Sequence, residues 1–280
     1  MAKKEKIQKY VPSALNTPML NYKVYMMNRQ EWLINFLAIF IVGGLVGLVF
    51  YGGLFKDKDG YATAATGISN LIVFGLVGAI AAKVVMPMRR NSKLNKRKIV
   101  VTKQFRSFLD ALATSLSSGM NMTESLSNAL NDLINQYTEH SYIVAEVKEM
   151  IAGINNNIQL EDMLADFARR SEIVDIDNFA KVFAICYRAG GNMKEIVRRT
   201  SSIITEKIEI TEEIETAITS NKTQFNAMMI IPVLLVTMMR LMSSDFSKSF
   251  GTPVGVVAMT VAIGIFYGAY RFGQKIMDVK

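Results

Sequence analysis

The chain has 280 residues, half of them hydrophobic, with a positive mean hydropathy and a formal charge of +8. That is too apolar for an ordinary soluble domain, and the basic balance suits nucleic acid, an anionic membrane surface or an acidic partner. One cysteine, Cys186, and one histidine, His140, exclude an intrachain disulfide framework and any Cys- or His-built metal site, and no cofactor is expected.

Residues 1–31 form a basic arm, with Lys3, Lys4, Lys6, Lys9, Lys23 and Arg29 against Glu5 and Glu31. The apolar run that follows begins too late for a signal peptide, and no small-residue cleavage pattern follows it. Pro12 and Pro18 make the arm a poor helix. It is expected to be partly extended and to lie along a membrane surface.

Trp32–Tyr51 is almost wholly apolar, with Asn35 its only strongly polar residue. About 20 residues at a helical rise of ~1.5 Å match a ~30 Å hydrocarbon core. Trp32 and Tyr51 stand at its two ends, where interfacial aromatics belong. After the charge-balanced turn Lys56-Asp57-Lys58-Asp59-Gly60, residues 67–88 form a second span, with Ser69 and Asn70 at one end and Lys83 within snorkelling reach of the other. Residues 32–88 therefore read as a transmembrane hairpin.

A basic run follows: Arg89, Arg90, Lys93, Lys96, Arg97 and Lys98. Such a run anchors topology on anionic lipid at about 1 kcal/mol per charge, or docks an acidic protein surface. No recognition module accompanies it that would argue for DNA.

Residues 103–222 are polar and helical in pattern. From Phe105 to Asn221 there is no proline, and Gly119, Gly153, Gly190 and Gly191 fall where apolar patterns stop. A phrase recurs three times, opening at Asn121, Gln159 and Asn192: amide, Met or Leu, any, acid, any, Leu or Val. Each occurrence reads as a helix start, with a polar capping side chain and an acid in the first turn. Apolar residues at helical spacing define six helices. The first carries Val101, Phe105, Phe108, Leu109, Leu112 and Leu116, and the second Met122, Leu126, Ala129, Leu130 and Leu133. The third carries Ile143, Val147, Met150, Ile151 and Ile154; the short fourth carries Leu160, Met163, Leu164 and Phe167. Phe179, Val182, Phe183 and Cys186 mark the fifth. The sixth opens at Asn192 and runs about 30 residues as a stalk; Glu195, Ile208 and Ile214 lie on it. Cys186 is expected to be a buried small apolar residue.

Residues 225–242 and 253–272 form a second hairpin, followed by a tail, 273–280. Pro232 interrupts the third span, and Arg240 lies about a turn inside its end, snorkelling or pairing with Asp245. Gly43-x-x-x-Gly47 and Gly264-x-x-x-Gly268 permit close helix approach, within the chain or between copies. Lys and Arg crowd the arm, the 89–103 segment and the tail, whereas the two short loops are balanced by acids. The positive-inside bias then puts both termini and the central domain in the cytoplasm of a multi-pass cell-membrane protein. The fold class is an all-α integral membrane protein, a cytoplasmic six-helix bundle between two transmembrane hairpins.

Three stretches carry a family resemblance. The basic lead-in Phe105–Leu126, the segment Tyr187-Arg188-Ala189-Gly190-Gly191-Asn192-Met193-Lys194-Glu195-Ile196-Val197, and the proline-bearing span with Ile231-Pro232-Val233-Leu234-Leu235 resemble the type II secretion F (GspF) domain. The order hairpin, one F domain, hairpin is similar to the TadB-like platform proteins of Flp/Tad pilus systems. That resemblance implies a non-enzymatic inner-membrane platform beneath a pilus or pseudopilus. Its partners would be a cytoplasmic secretion ATPase, a second F-domain platform protein and prepilins, besides membrane lipid, in a homo- or hetero-oligomer and without nucleic acid. The residues agree: no Gly-x-x-x-x-Gly-Lys-Ser/Thr phosphate loop is present, and the four spans hold no Asp or Glu for a prepilin-peptidase site. The basic run is the candidate ATPase or lipid contact, and Glu195, Ile208, Ile214 and Pro232 mark the candidate coupling helix. A membrane-anchored signalling scaffold is the alternative. A transporter or channel subunit fits less well, because Asn35, Asn70, Lys83 and Arg240 are too sparse to line a path.

Overall fold

The computed structural model describes residues 8–54, 63–243, 249 and 252–277. The turn at Lys56–Gly60, Asp245, and Lys3, Lys4, Glu5, Lys6 and Lys280 lie outside them. The chain divides into two compact units. One is formed by Met1–Met26 with Arg90–Glu212, the other by Met27–Arg89 with Glu213–Lys280.

In the first unit, β1 (Tyr10–Pro12) and β2 (Pro18–Leu20) form an antiparallel hairpin with Val11 opposite Met19. Its turn is closed by Ser13 N–H donating to the Thr17 carbonyl at 2.9 Å, and Asn16 takes the left-handed conformation at φ 61°. The helices of this unit are the C-terminal part of α2 (Ala64–Ser117), α3 (Met122–Gln136), α4 (Tyr142–Asn155), α5 (Leu160–Ser171), α6 (Val174–Arg188) and the N-terminal part of α7 (Met193–Met242). Their apolar stripes meet in one core that includes Phe105, Phe108, Leu133, Met150, Phe167 and Phe183. Phe105 contacts Phe167 and Phe179 edge-on at 6.2 and 5.5 Å, the offset geometry that aromatic quadrupoles favour.

The repeated phrase opens three helices with unequal caps. Asn121 makes a full capping box with Glu124. Asn192 Oδ1 accepts only from Glu195 N–H, at 3.3 Å. Gln159 makes no side-chain cap, its longer amide being a poor N-cap. The glycines divide as well. Gly119 and Gly190 have φ of +84° and +68° and end helices in the conformation that glycine alone adopts freely. Gly153, expected as a stop, lies inside α4; a Cβ there would sit 2.6 Å from Met163 Sδ, so it is a close-approach glycine between α4 and α5.

The boundary expected between the second span and the first bundle helix does not exist: they are one 54-residue helix. The sixth bundle helix, for which the sequence offers no stop before the apolar stretch, continues into the third span as one helix of 50 residues. The linker 89–98 is rich in Lys and Arg, which are good helix formers. Pro87 and Pro232 are accommodated within their helices; a proline removes one backbone bond without ending a helix that packing supports. Val182 is 43% exposed and Cys186 only half-buried, so the inward face of α6 is carried by Ile176, Phe179, Ala180 and Phe183.

In the second unit, α1 (Arg29–Tyr51), the start of α2, the end of α7 and α8 (Pro253–Met277) are long and apolar enough to cross a membrane. Their large side chains, such as Ile34, Leu71, Ile230 and Val257, are mostly exposed, as lipid-facing residues are. α1 and α2 pack through glycines. A Cβ on Gly43 would meet Ala81 Cβ at 2.5 Å, one on Gly47 would meet Val77 Cβ at 2.8 Å, and one on Gly78 would meet the Phe40 carbonyl oxygen at 2.7 Å. Gly43 and Gly47 therefore serve contact within the chain, whereas a Cβ on Gly264 or Gly268 meets nothing within 4 Å.

The contrast predicts opposite signs for one methyl group. Gly78→Ala should lower stability by about 1–3 kcal/mol through overpacking against backbone. Gly264→Ala should raise it by up to about 1 kcal/mol through helix propensity. Thermal unfolding of both variants in detergent micelles checks the pair; equal shifts would show that the α1–α2 glycines are not contact positions.

Candidate functional site

The most constructed polar arrangement lies in the first unit, where the N-terminal arm meets the helices. Glu146 on α4 sits between Ile143, Val147 and Met150, and Arg170 on α5 follows Met163 and Phe167 at helical spacing. Both side chains are therefore carried on core-facing stripes, 1% and 2% exposed. The guanidinium of Arg170 donates from Nη1 and Nη2 to Glu146 at 2.8 and 2.5 Å, and from Nε to Asp166 at 2.6 Å. A bidentate fork of this kind is the strong form of a charge-assisted hydrogen bond. Asp166 also binds Arg169 at 2.5 Å.

The arm closes the cluster. Tyr22, 1% exposed, donates its hydroxyl to Glu146 Oε1 at 2.9 Å and packs edge-on against Tyr142 and Phe167. Its N–H donates to the Arg170 carbonyl at 3.1 Å, and Arg170 Nη1 donates to the Leu20 carbonyl at 3.4 Å. At the hairpin turn Ser13 and Thr17 hydroxyls both donate to Glu149 of α4, Ser13 at 2.6 Å. Residues 13–22 of the arm are thus folded on the helices, where the tyrosine and the Leu20 carbonyl complete buried partners that water would otherwise have to reach.

Burial raises the Glu146 carboxyl above the usual carboxylate range, against the opposing pull of Arg170. Burial alone would lower the Arg170 guanidinium; the hydrogen bonds and charges of Glu146 and Asp166 more than offset this and hold it above its ordinary value. The Tyr22 phenol is raised well above its ordinary value by burial and then by the Glu146 charge. The cluster ties the arm to α4 and α5.

The basic run is partly absorbed by the same arm. Arg97 donates to the Val24 carbonyl at 3.3 Å and lies 4.6 Å from the Tyr25 ring centre. Lys93 lies 5.8 Å from the same ring. Lys98 pairs with Glu172, which also binds Lys23 and holds the left-handed conformation at the end of α5. Arg89, Arg90 and Lys96 are exposed. On α7, Glu195 is exposed in the first turn, Ile208 packs on the core, and Ile214 is 43% exposed. Lys207 binds Asp175 of α6 at 2.9 Å, and Lys103 of α2 pairs with Glu212. Among the described residues no group of three or more metal-ligating side chains comes together.

In the second unit, Arg240 of α7 donates to the carbonyls of Leu48, Val49 and Gly52, at 3.1 Å for Leu48. It caps the C-terminal end of α1; Asp245, the other partner expected, lies outside the described residues. Pro232 lines an apolar groove between α1, α7 and α8.

The Glu146–Arg170–Tyr22 cluster was not anticipated from the sequence. Its signal was present as an acid and a base on apolar helix faces, a position charges occupy only when paired.

Residues 108–241 match the family model described as Type II secretion system (T2SS), protein F. Comparison with curated proteins and with solved structures finds no match. The matched segment runs from the first bundle helix into the end of α7.

Removing one partner of the buried cluster should be costly. Arg170→Met should destabilise the protein by about 3–5 kcal/mol by leaving Glu146 and Asp166 buried and unpaired. Because the folded value of Glu146 lies above its ordinary value of 4.5, its contribution to stability is complete below that value and is lost as pH rises through the raised one. Glu146→Gln should flatten that part of the stability profile. Urea unfolding across acid to neutral pH measures both; an unchanged profile in Glu146→Gln would overturn the assignment.

Proposed function

We propose that the chain is a non-enzymatic membrane platform for assembling a Tad/Flp-type, type IV-like pilus or a type II secretion pseudopilus. The observation that carries this reading is the T2SS protein F match over residues 108–241, joined to two pairs of apolar helices on either side of the helical unit. On this reading residues 103–222 and both termini are cytoplasmic, as the Lys and Arg distribution favours. ATP work belongs to a partner, since the sequence has no phosphate loop. The partners are a secretion ATPase, a second F-domain platform protein and prepilins.

The mechanism follows from α7. It is one helix from Met193 to Met242, with Ile208 packed on the bundle core and Pro232 within its apolar part. A partner that moves the bundle would thereby move the third span. Glu195 opens the helix, Ile208 holds it on the bundle core, Ile214 lies beyond on its exposed surface, and Pro232 supplies the point where one backbone bond is missing. Of the basic run, Arg89, Arg90 and Lys96 are the residues left for an acidic partner or anionic lipid.

Ile208→Pro tests the coupling. It should abolish fibre assembly or pseudopilus-dependent secretion while the protein remains inserted in the membrane, and wild-type assembly would refute it. Sidedness is tested by protease cleavage near Tyr137, expected in inverted vesicles and not in right-side-out ones.

A further inference from the structure

In the second unit, α8 presents Met259, Ile263, Phe266 and Tyr270 to a groove closed by Phe50 of α1 and by Pro232 and Val236 of α7. These α8 positions follow one helix face over eleven residues, ~16 Å of rise. The groove encloses about 380 Å³. The groove is open along one side, and its apolar lining suits a hydrocarbon chain laid along α8.

The groove's residues are apolar apart from the hydroxyls of Tyr267 and Tyr270, which stand toward the C-terminal end of α8. One turn beyond Tyr267 on the same face comes Arg271, and Lys275 follows a turn later; both are exposed, and α8 contains no acid. An apolar slot that ends in tyrosines and then in two cations matches an anionic amphiphile.

We propose that this groove holds one acyl chain of an anionic phospholipid, with its headgroup at Arg271 and Lys275. The lipid fills the space between α7, α8 and α1, which side chains leave open beside Pro232. This inference rests on the geometry of the second unit alone and does not require the platform reading. Ala262 also lines the slot, so a larger side chain there occupies the volume of the chain.

The test uses the full-length protein extracted from membranes in mild detergent, with bound lipid measured by native mass spectrometry and after organic extraction. The wild type should retain about one phospholipid per chain, preferring anionic headgroups. Ala262→Phe should lose it with helical content unchanged. Arg271→Gln with Lys275→Gln should keep a phospholipid but lose the anionic preference by about fivefold per cation. Should Ala262→Phe fail to fold, a benzophenone side chain at Ile263 replaces it, and its photoadduct should have the mass of a phospholipid. Wild-type protein without retained lipid, equal retention by folded Ala262→Phe, or a photoadduct to a polypeptide would each overturn the proposal.

Discussion

A guanidinium taken out of water is tolerable only if every direction it points in meets an acceptor. Arg170 meets that condition with two carboxylates from α4 and α5 and the Leu20 carbonyl from the arm. The carboxylate of Glu146 then has its own demand, which Tyr22 answers. The arm is thus a structural member of the first unit. Its two prolines fit this role: Pro12 and Pro18 face each other at the turn end of two three-residue strands, where few ladder bonds are needed. Removing Tyr22 from this seat would open the ion cluster to solvent.

The second unit solves a different problem with the same kind of group. A helix end inside or near hydrocarbon leaves carbonyls with no partner. α1 ends at Tyr51, and the guanidinium of Arg240 reaches the carbonyls of Leu48, Val49 and Gly52. A residue that would be costly on an isolated apolar helix becomes the cap of its neighbour. Asn70 does likewise for the Gly53 N–H at 2.8 Å. Polar residues in these spans read from the sequence as an interfacial scatter, yet the structure uses them to finish helix ends.

What the sequence disclosed was periodic. Phe105 to Leu112, Leu126 to Leu133, and Phe179 with Phe183 all lie in the core because a 3.6-residue repeat of large apolar side chains has one way to be buried. Glycine was legible where it ended a pattern with open backbone, at Gly119 and Gly190, and misread at Gly153, where what matters is a methionine on another helix. The seam inside α2 was false because a run of charge signals a boundary only when nothing else holds the helix. The cluster at Arg170 escaped because Glu146 and Leu20 are 24 and 150 residues away along the chain and Tyr22 is 124 from Glu146: pairing across such separations leaves no local period.

The basic run shows how such pairing alters a functional argument. Six cations between residues 89 and 98 read as one electrostatic feature, each adding a similar increment of attraction to an anionic surface. In the fold they are not equivalent. Arg97 and Lys93 engage Tyr25, and Lys98 shares Glu172 with Lys23. A cation already committed to a ring or carboxylate must surrender that contact before it can bind lipid or a partner, so its net contribution is smaller. Arg89, Arg90 and Lys96 keep their charge exposed. Any partner that recruited the other three would have to loosen the arm as well, and the seat of Tyr22 over Arg170 would set the cost of doing so.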